Sequence, residues 1–187
     1  MLKRVFDAAA AAGGLLVLFW PLVGLWLLVR LTSPGPGLYW SQRVGRFSRL
    51  FAMPKFRTMR IDTPEVATHL LDNPDRWLTP VGGIMRRLSL DELPQLWSVL
   101  IGAMSLVGPR PALFNQDDLI AARAAAGVDG LRPGVTGWAQ INGRDELSIA
   151  DKVALDAEYM HRRSFVFDLE ILLRTVAPVV TGRGVTR

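Results

Sequence analysis

The chain has 187 residues, enough for one sizeable core, and contains no cysteine, which excludes disulfides and thiolate chemistry. Half of its residues are hydrophobic and six are tryptophan, yet its formal net charge is +5, with a pI near 10.4 and a mean hydropathy of +0.23. A chain both apolar and basic suits an anionic membrane surface; nucleic acid, which calls for the charge without the apolar surface, is not expected as a partner.

The first predicted element is an uncharged run from Ala8 to Val29, "AAAAAGGLLVLFWPLVGLWLLV". As a helix it spans about 30 Å, enough to cross a bilayer. It is too long for a cleaved signal peptide, and no A-x-A-like site follows it. Lys3 and Arg4 precede the run, while Arg30, Arg43, Arg46 and Arg49 follow it. The positive-inside bias therefore draws both ends to one side, which a straight transmembrane helix cannot satisfy and a bent one can. Pro21, near the middle, deprives the Val17 carbonyl of its helical donor, and Gly24 lies one turn later. Residues 1–31 are thus expected to form a re-entrant membrane hairpin bent at Pro21, with residues 32–187 as a cytosol-facing domain.

"TSPGPG" (32–37) reads as a hinge. In 38–59, "LYWSQRVGRFSRLFAMPKFRTM", apolar and basic residues alternate, predicting short strands, with Lys55 and Arg57 on one side of a strand where they could meet a phosphate. A polar helical pattern covers 65–79, an amphipathic helix 88–101, and an Ala-rich helix 116–126. "LRPGVTGWAQINGR" (131–144) predicts turns joining short strands. A helix over 148–163 and an apolar segment, "FVFDLEILLRTVAPVV", follow; the latter fits a membrane surface or a core equally well. The fold class expected is α+β, mostly helical, with a small sheet and membrane-surface helices beside the re-entrant hairpin.

"RRLSLDELPQLW" (86–97) sets two carboxylates, Asp91 and Glu92, among leucines. Ser89 and Glu92 have capping-box spacing, which puts both acids at a helix N-terminus. There the macrodipole would keep a carboxylate ionised and favour a phosphoryl group. Consecutive helical side chains diverge by about 100°, so the two acids need different tasks: one could attack phosphorus while the other holds a metal. Arg86, Arg87 and Arg110 could neutralise a diphosphate. His69 and His161 are far apart and no H-E-x-x-H, G-x-S-x-G or phosphate-loop motif occurs, so an enzyme here would use carboxylates, arginines and a divalent metal.

"KFRTM" (55–59), "SLDELPQLW" (89–97), "MSLVGPRP" (104–111) and "RPGVTGWAQINGR" (132–144), in this order, resemble the bacterial monotopic phosphoglycosyl transferases, also called the bacterial sugar transferase family. The likeness runs from Lys3–Arg4 to the apolar C-terminal segment. It implies transfer of a phosphosugar from a nucleoside diphosphate sugar, usually a UDP-sugar, to polyprenyl phosphate, with release of UMP. It places the enzyme as a monotopic protein on the cytoplasmic face of the bacterial inner membrane, in contact with its lipid, and makes 32–187 the catalytic domain. On this sequence, Asp91 would be the nucleophile that carries the phosphosugar between two half-reactions, and Glu92 would bind Mg2+. Lys55, Arg57, Arg87, Arg110 and Arg144, with Pro111, would form the substrate-binding set. The resemblance also implies a helix broken at a proline, matching Pro21.

Asp156 and Asp168 match acidic positions of the family, although each could equally pair with a nearby arginine. Four residues depart from the family pattern: Trp20 before the proline, Ser48 in place of a glycine, Ser98 for a common asparagine, and Ala103 where an acid is usual. Ser48 suggests a less demanding turn, and the missing acid at 103 suggests weakened activity if that acid organises the site. Two other readings remain: a non-enzymatic module for anionic membrane surfaces, and a membrane pyrophosphate hydrolase. The sequence is compatible with a homo-oligomer and does not specify one.

Overall fold

The structure, a computed structural model, describes residues 2–64, 66, 71–143 and 146–181, the last five as backbone. Helix α1 (Leu2–Val17) and helix α2 (Phe19–Thr32) meet at a 64° bend. The break is at Leu18 (φ −88°, ψ 5°). Pro21 therefore falls in the first turn of α2, where the helix needs no N–H donor. Leu18 N–H still donates to Gly14 and Leu22 N–H to Leu18, at 2.9 and 2.8 Å, so the flanking turns stay closed. Among the described residues no single helix is long and apolar enough to cross a membrane; the bent pair meets that length and composition only together.

Both helices are seated on the rest of the chain. Arg4 donates to the carbonyls of Val99 and Leu100 at 2.5 and 2.7 Å, Lys3 reaches Asp168 at 2.6 Å, and Asp7 accepts from the Ser105 hydroxyl at 2.7 Å. Ala11 is buried with Met53, Val99 and Met104, and Val29 with Phe56 and Met85. The bend itself is bare: Val17 is 81% and Trp20 76% exposed. Trp20 packs only edge-on against Phe19 among the ring contacts.

Strands β1 (Leu38–Val44) and β2 (Leu50–Phe56) pair antiparallel, Leu38 opposite Phe56 and Val44 opposite Leu50. Their connection holds Phe47 and Ser48 at φ 55° and 56°. The expectation of an easier turn at Ser48 is thus corrected: the left-handed conformation is kept without glycine, at about 1–2 kcal/mol per residue.

The predicted polar helix over 65–79 is also corrected. Its described part forms only a 3-10 turn, Pro74–Trp77, entered through Asn73 at φ 50°; residues 65 and 67–70 lie outside the described residues. The amphipathic helix expected from 88 begins only at Gln95, because Pro94 occupies the position before its first turn; this is α4 (Gln95–Ile101), closed by Gly102 at φ 89°. An unpredicted short helix, α3 (Gly82–Arg87), precedes it.

Strand β3 (Ser105–Val107) pairs in parallel with β4 (Gly134–Thr136). The approach is close enough to demand glycine: a Cβ on Gly108 would lie 2.3 Å from the Arg132 carbonyl, and one on Gly134 2.1 Å from Gly108 N. Helices α5 (Asp117–Ala125), α6 (Trp138–Ile141), α7 (Ile149–Arg162) and α8 (Phe165–Thr181) complete the described chain. The Ser148 hydroxyl caps α7 by accepting from Asp151 N–H. Val107, Val128, Leu131, Tyr159, Phe167 and Ile171 form the core beneath β3. The described residues are mostly helical with two small sheets, an α+β arrangement.

Candidate active site

Asp91 and Glu92 project from a 3-10 turn, Leu90–Glu92, between α3 and α4. Ser89 enters this turn at φ 53° and its side chain caps nothing there, so the capping box expected from its spacing does not form. With Pro94 delaying the helix, and α4 only seven residues long, the carboxylates are presented by a tight turn and not by a helix end. Both line a cleft of about 540 Å³, a size suited to a drug-sized or nucleotide ligand.

Two elements converge on Glu92. Strand β2 supplies Lys55, whose Nζ lies 3.2 Å from Glu92 Oε1. The segment after β3 supplies Arg110, whose Nη2 donates to the same oxygen at 2.8 Å. That segment is pinned repeatedly. Gly108 N–H donates to Thr136 and Gly134 N–H to Pro109; Arg123 donates to the Arg110 carbonyl at 2.7 Å; Val44 N–H donates to Ala112. Pro111 is buried in the cleft wall, its carbonyl accepting from Arg43 at 3.2 Å.

The other expected site residues are placed less uniformly. Arg57 borders the cleft but is 5% exposed, and it donates to the carbonyls of Pro36, Ser33 and Met59 and to the Ser33 hydroxyl. These bonds clamp the hinge between α2 and β1. Arg87 is exposed and does not border the cleft, whereas its neighbour Arg86 does. Arg144 lies outside the described residues. Asp156 takes two bonds from Arg123, while Asp168 pairs with Lys3 and accepts from the Tyr159 hydroxyl.

Sequence reasoning missed Arg123, Lys152 and Gln140, which also border the cleft. Arg123 sits in "AARAAAG" with no motif around it; its face becomes visible only once α5 is placed against α7.

Asp91 is 7% exposed. Burial pushes its carboxyl above the ordinary carboxylate range; Lys55 opposes this most, Glu92 adds to it, and Arg86 and Arg110 oppose it further. Burial likewise lowers Lys55, with Glu92 restraining the shift and Arg110 and Arg43 deepening it. The expectation that a helix macrodipole keeps the acid ionised is therefore replaced: side-chain cations oppose the burial, and burial still prevails. Arg43, Lys55, Arg60, Arg86, Arg110 and Lys152 line the same cleft as the two acids, a charge balance that favours a polyanion.

Two departures fall away from the cleft. Ala103 does not border it. Its neighbour Gly102 is approached by Arg4 and accepts from Arg132 at 3.2 Å, so an acid at 103 would bear on the seat of α1. Ser98 is buried in α4, its hydroxyl without a hydrogen-bond partner among the described residues, a matter of stability and not of chemistry.

Residues 1–182 match the model of the family described as bacterial sugar transferases. The chain is 40% identical to the uncharacterized sugar transferase EpsL of Bacillus subtilis (strain 168), over 99% of this chain and 90% of that one. It is 44% identical to a UDP-glucose:undecaprenyl-phosphate glucose-1-phosphate transferase of Caulobacter vibrioides, over 96% of this chain and 70% of the other. An Escherichia coli (strain K12) protein of the same name is 38% identical, over 94% of this chain and 39% of its own length.

Proposed function

The chain belongs to the bacterial sugar transferase family and is a phosphoglycosyl transferase, and from that premise we propose that it transfers a phosphosugar from a UDP-sugar to polyprenyl phosphate through a phosphosugar carried on Asp91. Two relatives are named as transferring glucose 1-phosphate from UDP-glucose to undecaprenyl phosphate. Family membership sets aside the reading as a membrane-surface module without activity. The observation that carries the proposal is the buried Asp91 beside a Glu92 held by two cations, in a cationic cleft.

In the first half-reaction an Asp91 carboxylate oxygen attacks the sugar-bearing phosphorus. The bond from that phosphorus to the oxygen bridging the two phosphates breaks, and UMP leaves with the bridging oxygen. In the second, a phosphate oxygen of polyprenyl phosphate attacks the same phosphorus, and the bond to Asp91 breaks, restoring the carboxylate. Lys55 and Arg86 offset the charge of Asp91 before attack, and Arg110 would meet charge on the departing phosphate.

Among the described residues no cluster of three His, Cys, Asp or Glu side chains could cage a metal. Two adjacent carboxylates do fit Mg2+, which commonly binds one or two protein carboxylates and takes its remaining oxygens from substrate phosphates and water. Glu92 would hold it, and its chemistry would be to neutralise the diphosphate.

The bare apolar bend between α1 and α2, with the exposed Val166, Leu173 and Val176 of α8, supports a monotopic membrane seat, which this reading assigns to the cytoplasmic face of the inner membrane. The nucleotide sugar would then enter from water and the polyprenyl phosphate from lipid.

The test uses purified chain with Mg2+, UDP-glucose and undecaprenyl phosphate. Continued UMP release beyond one equivalent per enzyme is expected only with the lipid, and enzyme quenched with donor alone should carry a sugar phosphate on the peptide containing Asp91. UMP release indifferent to the lipid would indicate hydrolysis and overturn the reading.

A further inference from the structure

Three contacts link Glu92 to two buried side chains that the transfer steps leave unused. Asp156, on α7, is 1% exposed, and its Oδ2 accepts from Arg123 Nε at 2.9 Å and from Arg123 Nη2 at 2.7 Å. Arg123, on α5, is itself buried and donates from Nη1 to the Arg110 carbonyl at 2.7 Å. Arg110 then reaches Glu92 Oε1 at 2.8 Å.

The guanidinium is a rigid plane. Once Nε and Nη2 are fixed by one carboxylate, the direction of Nη1 is fixed too. A lysine ammonium carries no such fork. Burial of an ion pair is itself weak support for stability, because desolvation offsets most of the attraction. The pair is better understood by what it specifies, and here that is the main chain at Arg110. The loop carrying Arg110 is tied to β4 before that residue and to β1 after it; at residue 110 itself, the hydrogen bond from Arg123 is what meets the main-chain carbonyl.

We propose that Asp156, acting through Arg123, is a positioning residue of the transfer reaction: it fixes the main chain at Arg110 so that this guanidinium stands beside Glu92 in reach of the donor diphosphate. This rests on the reading of the cleft as the donor site. It makes the α5–α7 contact, remote from the reacting atoms, part of what sets donor affinity.

The test is a double-mutant cycle on the full chain in detergent micelles, read by calorimetric binding of UDP with Mg2+ and by turnover of UDP-glucose with undecaprenyl phosphate. D156N should weaken UDP binding about tenfold, within the range found when an outer partner of a site residue is removed. R110A should weaken it at least as much. D156N/R110A should fall within about twofold of R110A alone, since Asp156 then has nothing left to position.

Losses that multiply in the double variant would overturn the proposal, as would parental affinity in D156N. D156N leaves a buried guanidinium without its counter-charge and could fail to fold. R123K is therefore run in the same cycle, because it keeps a cation opposite Asp156 but loses the fork; the same near-twofold agreement with R110A is expected, and multiplied losses overturn the proposal. A parent chain that binds no UDP would sink the donor-site reading and this inference together. A parent that binds UDP while both cycles multiply would sink this inference alone.

Discussion

Lys55 Nζ lies 3.2 Å from Glu92 Oε1, and the same lysine is the strongest charge opposing the burial of Asp91. One cation therefore serves two adjacent acids, and the pH behaviour of the cleft follows from it. A nucleophilic aspartate must be deprotonated. Because burial raises Asp91, activity should fall as the pH drops through a value above the ordinary carboxylate range. Removing the cation in K55M disfavours the charged form further, so the acid limb should move to higher pH. A pH profile of kcat/KM for both proteins checks this, and coincident acid limbs would refute it.

Asp91→Asn should lower turnover on the order of 10³-fold or more and remove the trapped phosphosugar. It should also stabilise the fold. The folded-state carboxyl sits above its unfolded value, so the ionised acid costs stability once the pH exceeds the folded pKa. Asparagine carries no such cost. Scanning calorimetry should show a higher thermal midpoint for the variant at pH 8, with the difference shrinking toward pH 4.

Glu92→Gln should raise the Mg2+ concentration needed for half-maximal activity by about 10–100-fold. Retention on lipid vesicles should not change, because the apolar surface of α1 and α2 is untouched. An unaltered Mg2+ dependence would remove Glu92 from the metal.

Arg57→Ala should behave as a folding variant. It leaves the buried Ser33 carbonyl and hydroxyl, and the more exposed Pro36 carbonyl, without their donor, a loss of about 2–3 kcal/mol. The thermal midpoint should drop by several degrees, while KM for the donor among folded molecules stays within about twofold. A large rise in KM at unchanged stability would instead make Arg57 a phosphate contact.

Pro21→Ala should leave the topology bent. The break is at Leu18, and Arg4, Lys3 and Val29 hold the two helices on separate parts of the chain. Cysteines at positions 2 and 33 should be labelled from the same membrane face in the variant. Opposite faces would show that the proline alone maintains the bend.

Periodicity made α5 and α7 legible to within a residue or so, while alternation over 38–59 showed short strands without giving their bounds or their pairing. In each, one face of the segment meets the core, and the sequence carries that face directly. The Asp91–Glu92 pair was visible, but not its setting. Ser89 has cap spacing and adopts a left-handed conformation instead. The parallel contact of β3 with β4 joins residues almost thirty positions apart and leaves no periodic trace in three-residue strands. Arg57 and Arg123 illustrate the remaining difficulty: both are basic residues bordering the cleft, and only their buried partners separate a clamp on the hinge from a support for Arg110.

The contact between Gly108 and Gly134 has a consequence for how this cleft can vary among descendants of the chain. A single methyl group on either residue would wedge the two strands apart and carry the attached arginine away from its carboxylate. Changes that retune sugar preference must therefore accumulate along the cleft wall itself, since two positions with no side chain forbid them where β3 meets β4.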